Sequence, residues 1–577
     1  MTMKMKPKTL LLMLAVSAVV SAQAGGKVSV FLNQVGYYPD EEKVVVMEGI
    51  STKEKLQVMD ASGNVLLTTK PVRSAVSPWS KKRRMLVDVS QIKQPGQYVL
   101  KGKGVDVAFN VAPGVLHDVA VASLKLFYLI RSGVPVDEVY AGKFARPVGH
   151  ADTRVKIHPS AATPMRPAES IISSPLGWYD AGDYNKYVVN SAFSIGLMLS
   201  AYEQNKTYFD QLDTNIPESK NSTSDLLDEI MFNMKWLLTM QDPNDGGVYH
   251  KLTTPNFEGF VMPQDCHQPR YVVAKSVTAT LDFAAVMAQM ARLLKNNRDY
   301  SDFAAQAADA ARNAYEWAKA NKTAFYRQDL LSRDFQPAVS TGTYGDMSAN
   351  DEFFWAATEL YRLTSSDDYL KDVRAYQPQQ FSVPTWGNVF GLGAFSWLAA
   401  SDCDVRKAML DQLKDYCDGV VALVPTSCFQ SPFGNKATDF GWGCLAEGCC
   451  CSALALLYAD RYVDKGQYRR YALQDVDYLL GRNATGYCYV TGFGTKSPMH
   501  PHHRISEADG IVEPFPGMLV GGPNPGQQDK GSGLVYPSNY PDESYIDDMG
   551  SYASNEIAIN WNASLVSLLC WIDAEKQ

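Results

Sequence analysis

The chain has 577 residues, too many for one ordinary hydrophobic core, so two or more domains are expected. With 46% hydrophobic and 20% charged residues its balance is globular, and a net charge of −8 argues against a surface built to neutralise nucleic-acid phosphates. The 10 Trp, 31 Tyr and 23 Phe suit a sugar-binding cleft, although a large core would absorb them equally well.

The N-terminus, "MTMKMKPKTLLLMLAVSAVVSAQAGG", sets Lys4, Lys6 and Lys8 before a short apolar run, Leu10 to Val20, and small residues at Ala22 and Ala24. This pattern predicts a secretory signal peptide over 1–24. The run is too short to cross a bilayer. No cysteine closely follows it (the first is Cys266), which speaks against a lipid anchor. The expected mature protein is secreted or periplasmic, with no membrane insertion and no nucleic-acid partner.

From Lys27 to about Val111 apolar residues alternate with period two: Val28, Val30 and Leu32, then Met85, Val87 and Val89, then Val105, Val107, Phe109 and Val111. Turn sequences such as "DASGN" and "KQPGQ" separate the runs. Short strands at this spacing predict a β-sandwich over 25–112. It gathers no acids, histidines or nucleophiles and reads as a structural prop.

After Pro113 the period becomes helical, and 113–577 reads as one all-α domain. In "STSDLLDEIMFNMKWLLTM", Leu227, Ile230, Met231, Met234, Leu237 and Leu238 recur at three- and four-residue steps. Ser224 is placed to cap that helix, with Asp225 and Asp228 in its first turn. Similar segments run over 276–294, 302–320, 351–363, 389–400, 449–459, 467–480 and 556–572. Long polar loops join them, above all 481–545, and loops of that length in a compact domain are usually functional. All ten cysteines lie from Cys266 onward; Cys449, Cys450 and Cys451 are consecutive on a helical pattern and cannot pair with one another. Buried small hydrophobes fit them best, with a bridge elsewhere left open.

Three segments concentrate chemistry. "GWYDAGDYNKY" (177–187) holds Asp180 and Asp183 among Trp178, Tyr179, Tyr184 and Tyr187, and admits a helix start, a metal loop or a catalytic carboxylate between flat rings. "TGFGTKSPMHPHHRIS" (491–506) groups His500, His502 and His503 with Arg504, in a chain with 8 His. Its proline-broken spacing fits a zinc site poorly, and donors on a loop suit hydroxyls or a carboxylate. In "DDMGSYASNEIAINWNASLV" (547–566) Glu556 opens an apolar helix, where a carboxylate also simply complements the dipole. "DCHQPR", with His267 and Arg270, and "TYGDMSANDEFFWAA", with Tyr344, Asp351, Glu352 and Trp355, add further polar–aromatic clusters.

Together with "LNQVGYYP" (32–39), "DEFFWAA", "VTGFGTKSPMHPHHR" and "NEIAINWNA", these segments resemble, in order and over the whole mature chain, the inverting cellulases of glycoside hydrolase family nine that carry an N-terminal immunoglobulin-like domain. The resemblance implies an immunoglobulin-like β-sandwich followed by a six-hairpin α/α toroid. It makes Asp183 the general base, Asp180 the residue that orients the attacking water and Glu556 the general acid. It gives His502 and Arg504 hydroxyls next to the cleavage point, and lines sugar subsites with His267, Tyr344, Trp386, Trp442, Trp561 and Tyr184. Inversion needs an acid and a base roughly 6.5–9.5 Å apart across the ring, a gap that Asp183 and Glu556 on separate loops can span. The acid must stay protonated near neutrality, so burial or neighbouring carboxylates should raise the pKa of Glu556.

The resemblance implies no cofactor for the chemistry and a structural calcium near Asp351 and Glu352. Zinc is doubtful: relatives pair a Cys with a His before the acidic loop, whereas "FARPVGHADT" has His150 and no cysteine. That leaves His150, with Asp152 and His158, as a further metal candidate. The aspartate that relatives place after Trp386 is also missing. The expected activity is endo-acting hydrolysis of β-1,4-glucans, whether cellulose-like, mixed-linkage or xyloglucan. The alternatives are an exo-acting enzyme of the same fold, releasing cellobiose, glucose or glucosamine, or a glycan-binding protein without catalysis.

Overall fold

The computed structural model describes residues 28–576, so the expected signal peptide lies outside the described residues. Eight strands form the N-terminal sandwich: β1 (Ser29–Phe31), β2 (Val44–Glu48), β3 (Leu56–Asp60), β4 (Val65–Thr69), β5 (Arg73–Val76), β6 (Arg83–Asp88), β7 (Gly96–Gly102) and β8 (Val105–Val111). One sheet has the order β1-β2-β6-β5 and the other β4-β3-β7-β8, all antiparallel. Val45, Met47, Val58, Val87, Leu100 and Phe109 fill the space between the sheets. The alternate residues of β2 and β6, Val44, Val46 and Leu86, join the core of the following domain. β2 is therefore buried on both faces, which explains its unbroken "VVVM".

Polar contacts tie the sandwich down. Arg84, fully buried, pairs with Glu48, Asp542 and Glu543 and lies 4.5 Å from the ring centre of Phe429. Asn33 donates to Asp477, and Gln34 Oε1 accepts from the backbone of Thr495 and Lys496 at the start of the loop that leads to His502. The prop thus braces a segment of the helical domain that carries expected site residues.

Six inner helices close a ring in chain order: Val188–Gln204, Val277–Leu294, Phe390–Leu398 after Asn350–Thr364, Cys451–Tyr462 and Ile559–Ala574, the last packing back on the first. Each has an outer partner, respectively Asp225–Met240, Ser301–Ala320, Asp404–Val421 and Asp367–Tyr376 for the middle pair, Arg469–Leu479 and His117–Leu129. This is an α/α toroid. Val277–Leu294 is long and apolar enough to cross a membrane, but it is an inner helix and almost wholly buried.

Several expectations need correction. Ser224 stands at the N-cap, yet its hydroxyl donates to Phe209 O and caps nothing; Ser276 does cap its helix, accepting from Ala279 N. Glu556 does not open the last helix, which begins at Ile559; it sits in an extended bridge beside His502. The segment expected as a helix from Cys449 begins instead as a π-helix, Leu445–Cys450. Five strands of two or three residues were not foreseen: β9 (Val155–Ile157), β10 (Ile171–Ile172), β11 (Lys186–Tyr187), β12 (Lys251–Thr253) and β13 (Tyr271–Val272), ordered β10-β9-β13-β12-β11. Runs that short carry no readable period. All ten cysteines are free thiols, and eight of them are buried.

Candidate active site

The loop before helix Val188–Gln204 is held from below by buried polar anchors. Trp178 Nε1 donates to Glu229, and its backbone N–H to Asn233 Oδ1. Lys186 donates to the carbonyl of Leu176 and pairs with Asp152. Neither Asp180 nor Asp183 caps a helix; both are buried and hydrogen-bonded by side chains. Asp180 accepts from Asn190 Nδ2 and the Tyr344 hydroxyl, each at 2.7 Å. Asp183 accepts from Asn185 Nδ2 at 2.6 Å and the Tyr187 hydroxyl at 2.9 Å, and both donors converge on Oδ2. Oδ1 is left without a protein donor among the described residues.

Glu556 reaches the same loop from the other end of the chain. Its Oε1 accepts from Gly182 N at 3.3 Å. The contact depends on glycine: a Cβ at Gly182 would lie 2.3 Å from His502 O, 2.8 Å from His502 Cδ2 and 3.2 Å from Glu556 Oε1. Burial, and then the charge of Asp183, push the pKa of Glu556 up to about 8. The pKa of Asp180 is also raised, by burial and then by Asp183. Three carboxyl groups thus share one weakly solvated site, in which a proton is held firmly.

His502 stands beside Glu556, its Nδ1 against Met549 O at 2.6 Å, which leaves Nε2 for another partner. Arg504 is tied to the same loop. It is 7% exposed, and donates through Nη1 to Gly182 O at 2.7 Å and through Nε to Glu258 O at 2.8 Å. It therefore braces the Asp180–Asp183 loop through Nη1 and Nε, while Nη2 has no protein acceptor among the described hydrogen bonds. Around the carboxylates stand partly exposed rings. Tyr344 packs edge-on to Trp386 at 5.1 Å on the Asp180 side, and Trp442, 47% exposed, lies 5.4 Å from Tyr552, which in turn faces His502. Phe257 and Phe260, unnoticed in the sequence, are exposed aromatics over Arg504, and Phe260 also meets His502 edge-on at 5.5 Å.

Two expected sugar contacts are buried instead. Tyr184 is 2% exposed, its hydroxyl donates to Val261 O, and its ring packs on Tyr179 and His150. Trp561 is 6% exposed, covered by Gly443 and Gly521. Neither has a free face for stacking. His267 is exposed, with no partner among the described contacts. Asn185 and Asn190, the amides that hold the two aspartates, also went unread, because an Asn at a helix start looks like any cap.

The metal candidates separate clearly. Asp152 is held by both Arg270 and Lys186, and His158 has both ring nitrogens engaged, with Ser160 and with Pro337 O. Burial, and then the charges of Arg270 and Lys186, drive the His150 pKa down to about 3, so its imidazole is neutral. His150 Nε2 is buried without a hydrogen-bond partner, but the other two candidates of this group are already engaged. The ligand oxygens of Asp346, Asp351 and Glu352, by contrast, lie within 4.8 Å of one another. Glu352 Oε2 and both carboxylate oxygens of Asp282 are buried without a hydrogen-bond partner. Burial and mutual repulsion raise the pKa values of Asp282 and Glu352 well above the ordinary range. Hard oxygen donors that repel one another, with those of Asp282 and Glu352 Oε2 lacking partners, fit a calcium ion.

Comparison with known proteins places this arrangement. The profile of the cellulase N-terminal ig-like domain matches residues 26–107, and that of glycosyl hydrolase family 9 matches 117–569. The chain is 52% identical over 569 residues to the xyloglucan-specific endo-beta-1,4-glucanase BoGH9A of Bacteroides ovatus, covering 97% of this chain and 96% of that protein. It is 32% identical to Endoglucanase D of Acetivibrio thermocellus, covering 93% of this chain and 82% of the other. A solved Bacteroides ovatus GH9 structure superposes with a TM-score of 0.91 at 50% identity, covering 95% of this chain and 99% of that one. With a family match spanning most of its length, the chain belongs to glycosyl hydrolase family 9 and is a glycoside hydrolase.

Proposed function

We propose that this protein is an exported, inverting endo-β-1,4-glucanase whose preferred substrate is xyloglucan, with unbranched β-1,4-glucans cut less well. The substrate reading is supported by the 52% identity to a xyloglucan-specific enzyme over nearly the full length of both chains. The division into a leader over 1–24, a sandwich over 25–112 and a catalytic domain over 113–577 is part of the same proposal.

One observation carries the mechanism: Glu556, its carboxyl held protonated up to about pH 8, meets the Asp180–Asp183 loop at Gly182. In this reading Glu556 delivers its proton to the departing glycosidic oxygen. Asp183, with Oδ2 occupied by Asn185 and Tyr187, offers Oδ1 to a water on the opposite face of the ring. Asp180, fixed by Asn190 and Tyr344, orients that water. The water adds to the anomeric carbon as the glycosidic bond breaks, and its proton passes to Asp183. His502 Nε2 is the donor or acceptor offered to a sugar hydroxyl. Trp386, Tyr344 and Trp442 supply apolar faces. Arg504 holds the loop.

No cofactor enters these steps. A calcium ion bound by Asp346, Asp351 and Glu352, with Asp282 beside them, would join helices Asn350–Thr364 and Val277–Leu294 and act only on stability. Digestion of a panel of soluble glucans, following reducing ends, product sizes and viscosity together, tests the reading. Fast viscosity loss with the highest rate on xyloglucan is expected. Slow viscosity loss with early mono- or disaccharides would establish exo action instead, and no turnover on any β-glucan would overturn the assignment.

A further inference from the structure

β12 brings one more charge to the site. Lys251 lies directly opposite Tyr187 of β11, and its side chain is fully buried. Its Nζ donates to Gln328 Oε1 at 2.7 Å, Thr341 Oγ1 at 2.8 Å and Gly342 O at 2.6 Å, and stands 5.4 Å from the ring centre of Tyr187. These acceptors are neutral, as is Thr341 O at 3.5 Å, and no carboxylate pairs with it among the described ion pairs. A buried ammonium with no partner of opposite charge is costly, and folds keep one where it acts on something.

The groups around it show what that is. Just before its strand, His250 is buried, stacked on Tyr326 at 3.9 Å, with its pKa pushed down to about 3 by burial, so it carries no charge. Tyr326, before the 328–334 helix, faces Nζ at 5.6 Å, and burial raises its phenol. Across the sheet is Tyr187, also raised by burial and by the aspartates. Burial lowers the pKa of Lys251 to about 7, against the opposing pull of the Asp183 charge, so the ammonium is present below neutrality. Gly342 links the two: its carbonyl accepts from Lys251, while its N–H donates to the Tyr187 oxygen at 3.1 Å. With that lone pair taken, Tyr187 has its proton to give, and it gives it to Asp183 Oδ2.

We propose that Lys251 is a positioning residue for Asp183: its positive charge, seated behind Tyr187, acts on that carboxylate and, through Gly342, fixes the Tyr187 hydroxyl as its donor. The proposal rests on Asp183 being the general base. The test is the pH profile of kcat/KM in Lys251→Gln, which keeps a donor toward Thr341 and Gly342 but loses the charge. Its acid limb is expected to move up by about one pH unit, as charges on the order of 10 Å apart give at an effective dielectric of about 20. Lys251→Arg should restore the limb. A residue that merely tied β12 to the 341–342 segment would lower thermal stability and leave the limb in place; an unmoved limb in folded Lys251→Gln overturns the proposal.

A second measurement does not depend on that variant folding. By reciprocity, removing the charge of Asp183 must make Lys251 release its proton about one pH unit lower. Carbon-13 lysine titration of the wild type and of Asp183→Asn reads this directly, and identical titration in both overturns the proposal. Hydrolysis surviving in Asp183→Asn would instead remove the general base itself, a distinct outcome.

Discussion

Gly182→Ala places one methyl group where the structure has none to spare. The new Cβ would stand 2.3 Å from the carbonyl oxygen of His502, against the 3.0 Å that real Cβ contacts respect, so backbone must separate by at least 0.7 Å. The obstruction is main chain and cannot be relieved by turning a side chain. The Gly182 N–H that meets Glu556, and the Gly182 carbonyl that meets Arg504, move with it. A misplacement of about 1 Å at a catalytic group costs on the order of 10²-fold in rate, so a displacement near that size should cut kcat by roughly 10- to 100-fold. KM should change less, because the aromatic faces are untouched. Steady-state kinetics on a soluble glucan, with circular dichroism to confirm folding, is the assay. A folded Gly182→Ala variant with kcat within about twofold of wild type, well short of that loss, would refute the reasoning that the loop, His502 and Glu556 meet at this glycine.

The pH profile follows from Glu556. Its folded pKa is raised from the ordinary carboxylic value to about 8, so the proton needed by a general acid is present below that pH and lost above it. kcat/KM should therefore fall along an alkaline limb near pH 8, and Glu556→Gln should remove the limb together with most of the activity. Chelator should lower Tm while leaving kcat unchanged below Tm, with added calcium restoring the loss, and Glu352→Gln should abolish that response. Arg84→Ala leaves Asp542 buried without its cation; it should destabilise the chain by about 3 kcal/mol, read as a lower midpoint of urea unfolding.

Much of this was legible because the fold is periodic and the site is local. Alternation marked the sandwich strands, and the three- and four-residue steps marked the ring helices, since burying one face dictates both patterns. The Asp180–Asp183 loop was visible as two acids among rings within eleven residues. Glu556 was found but misplaced: an acid before an apolar run looks like a helix start, and only the pairing with His502 shows an extended bridge. The hold of Arg504 on the Gly182 and Glu258 carbonyls was not foreseen, because an arginine that binds a carbonyl and one that binds a sugar are the same letter. Tyr184 and Trp561 failed for a related reason, as aromatic content does not say which face of a ring is covered. Lys251 was missed altogether. In "VYHKLTT" it looks like a solvent-facing strand residue, and its burial is decided by Thr341 and Gly342 some ninety positions away.

The account stands on Glu556 and Asp183 working on opposite faces of one sugar ring. Proton NMR during the first minutes of hydrolysis, before mutarotation, reads this most directly. The account predicts that the new reducing end from a β-linked glucan appears first as the α-anomer. Appearance of the β-anomer would mean retention through a covalent intermediate and would contradict it.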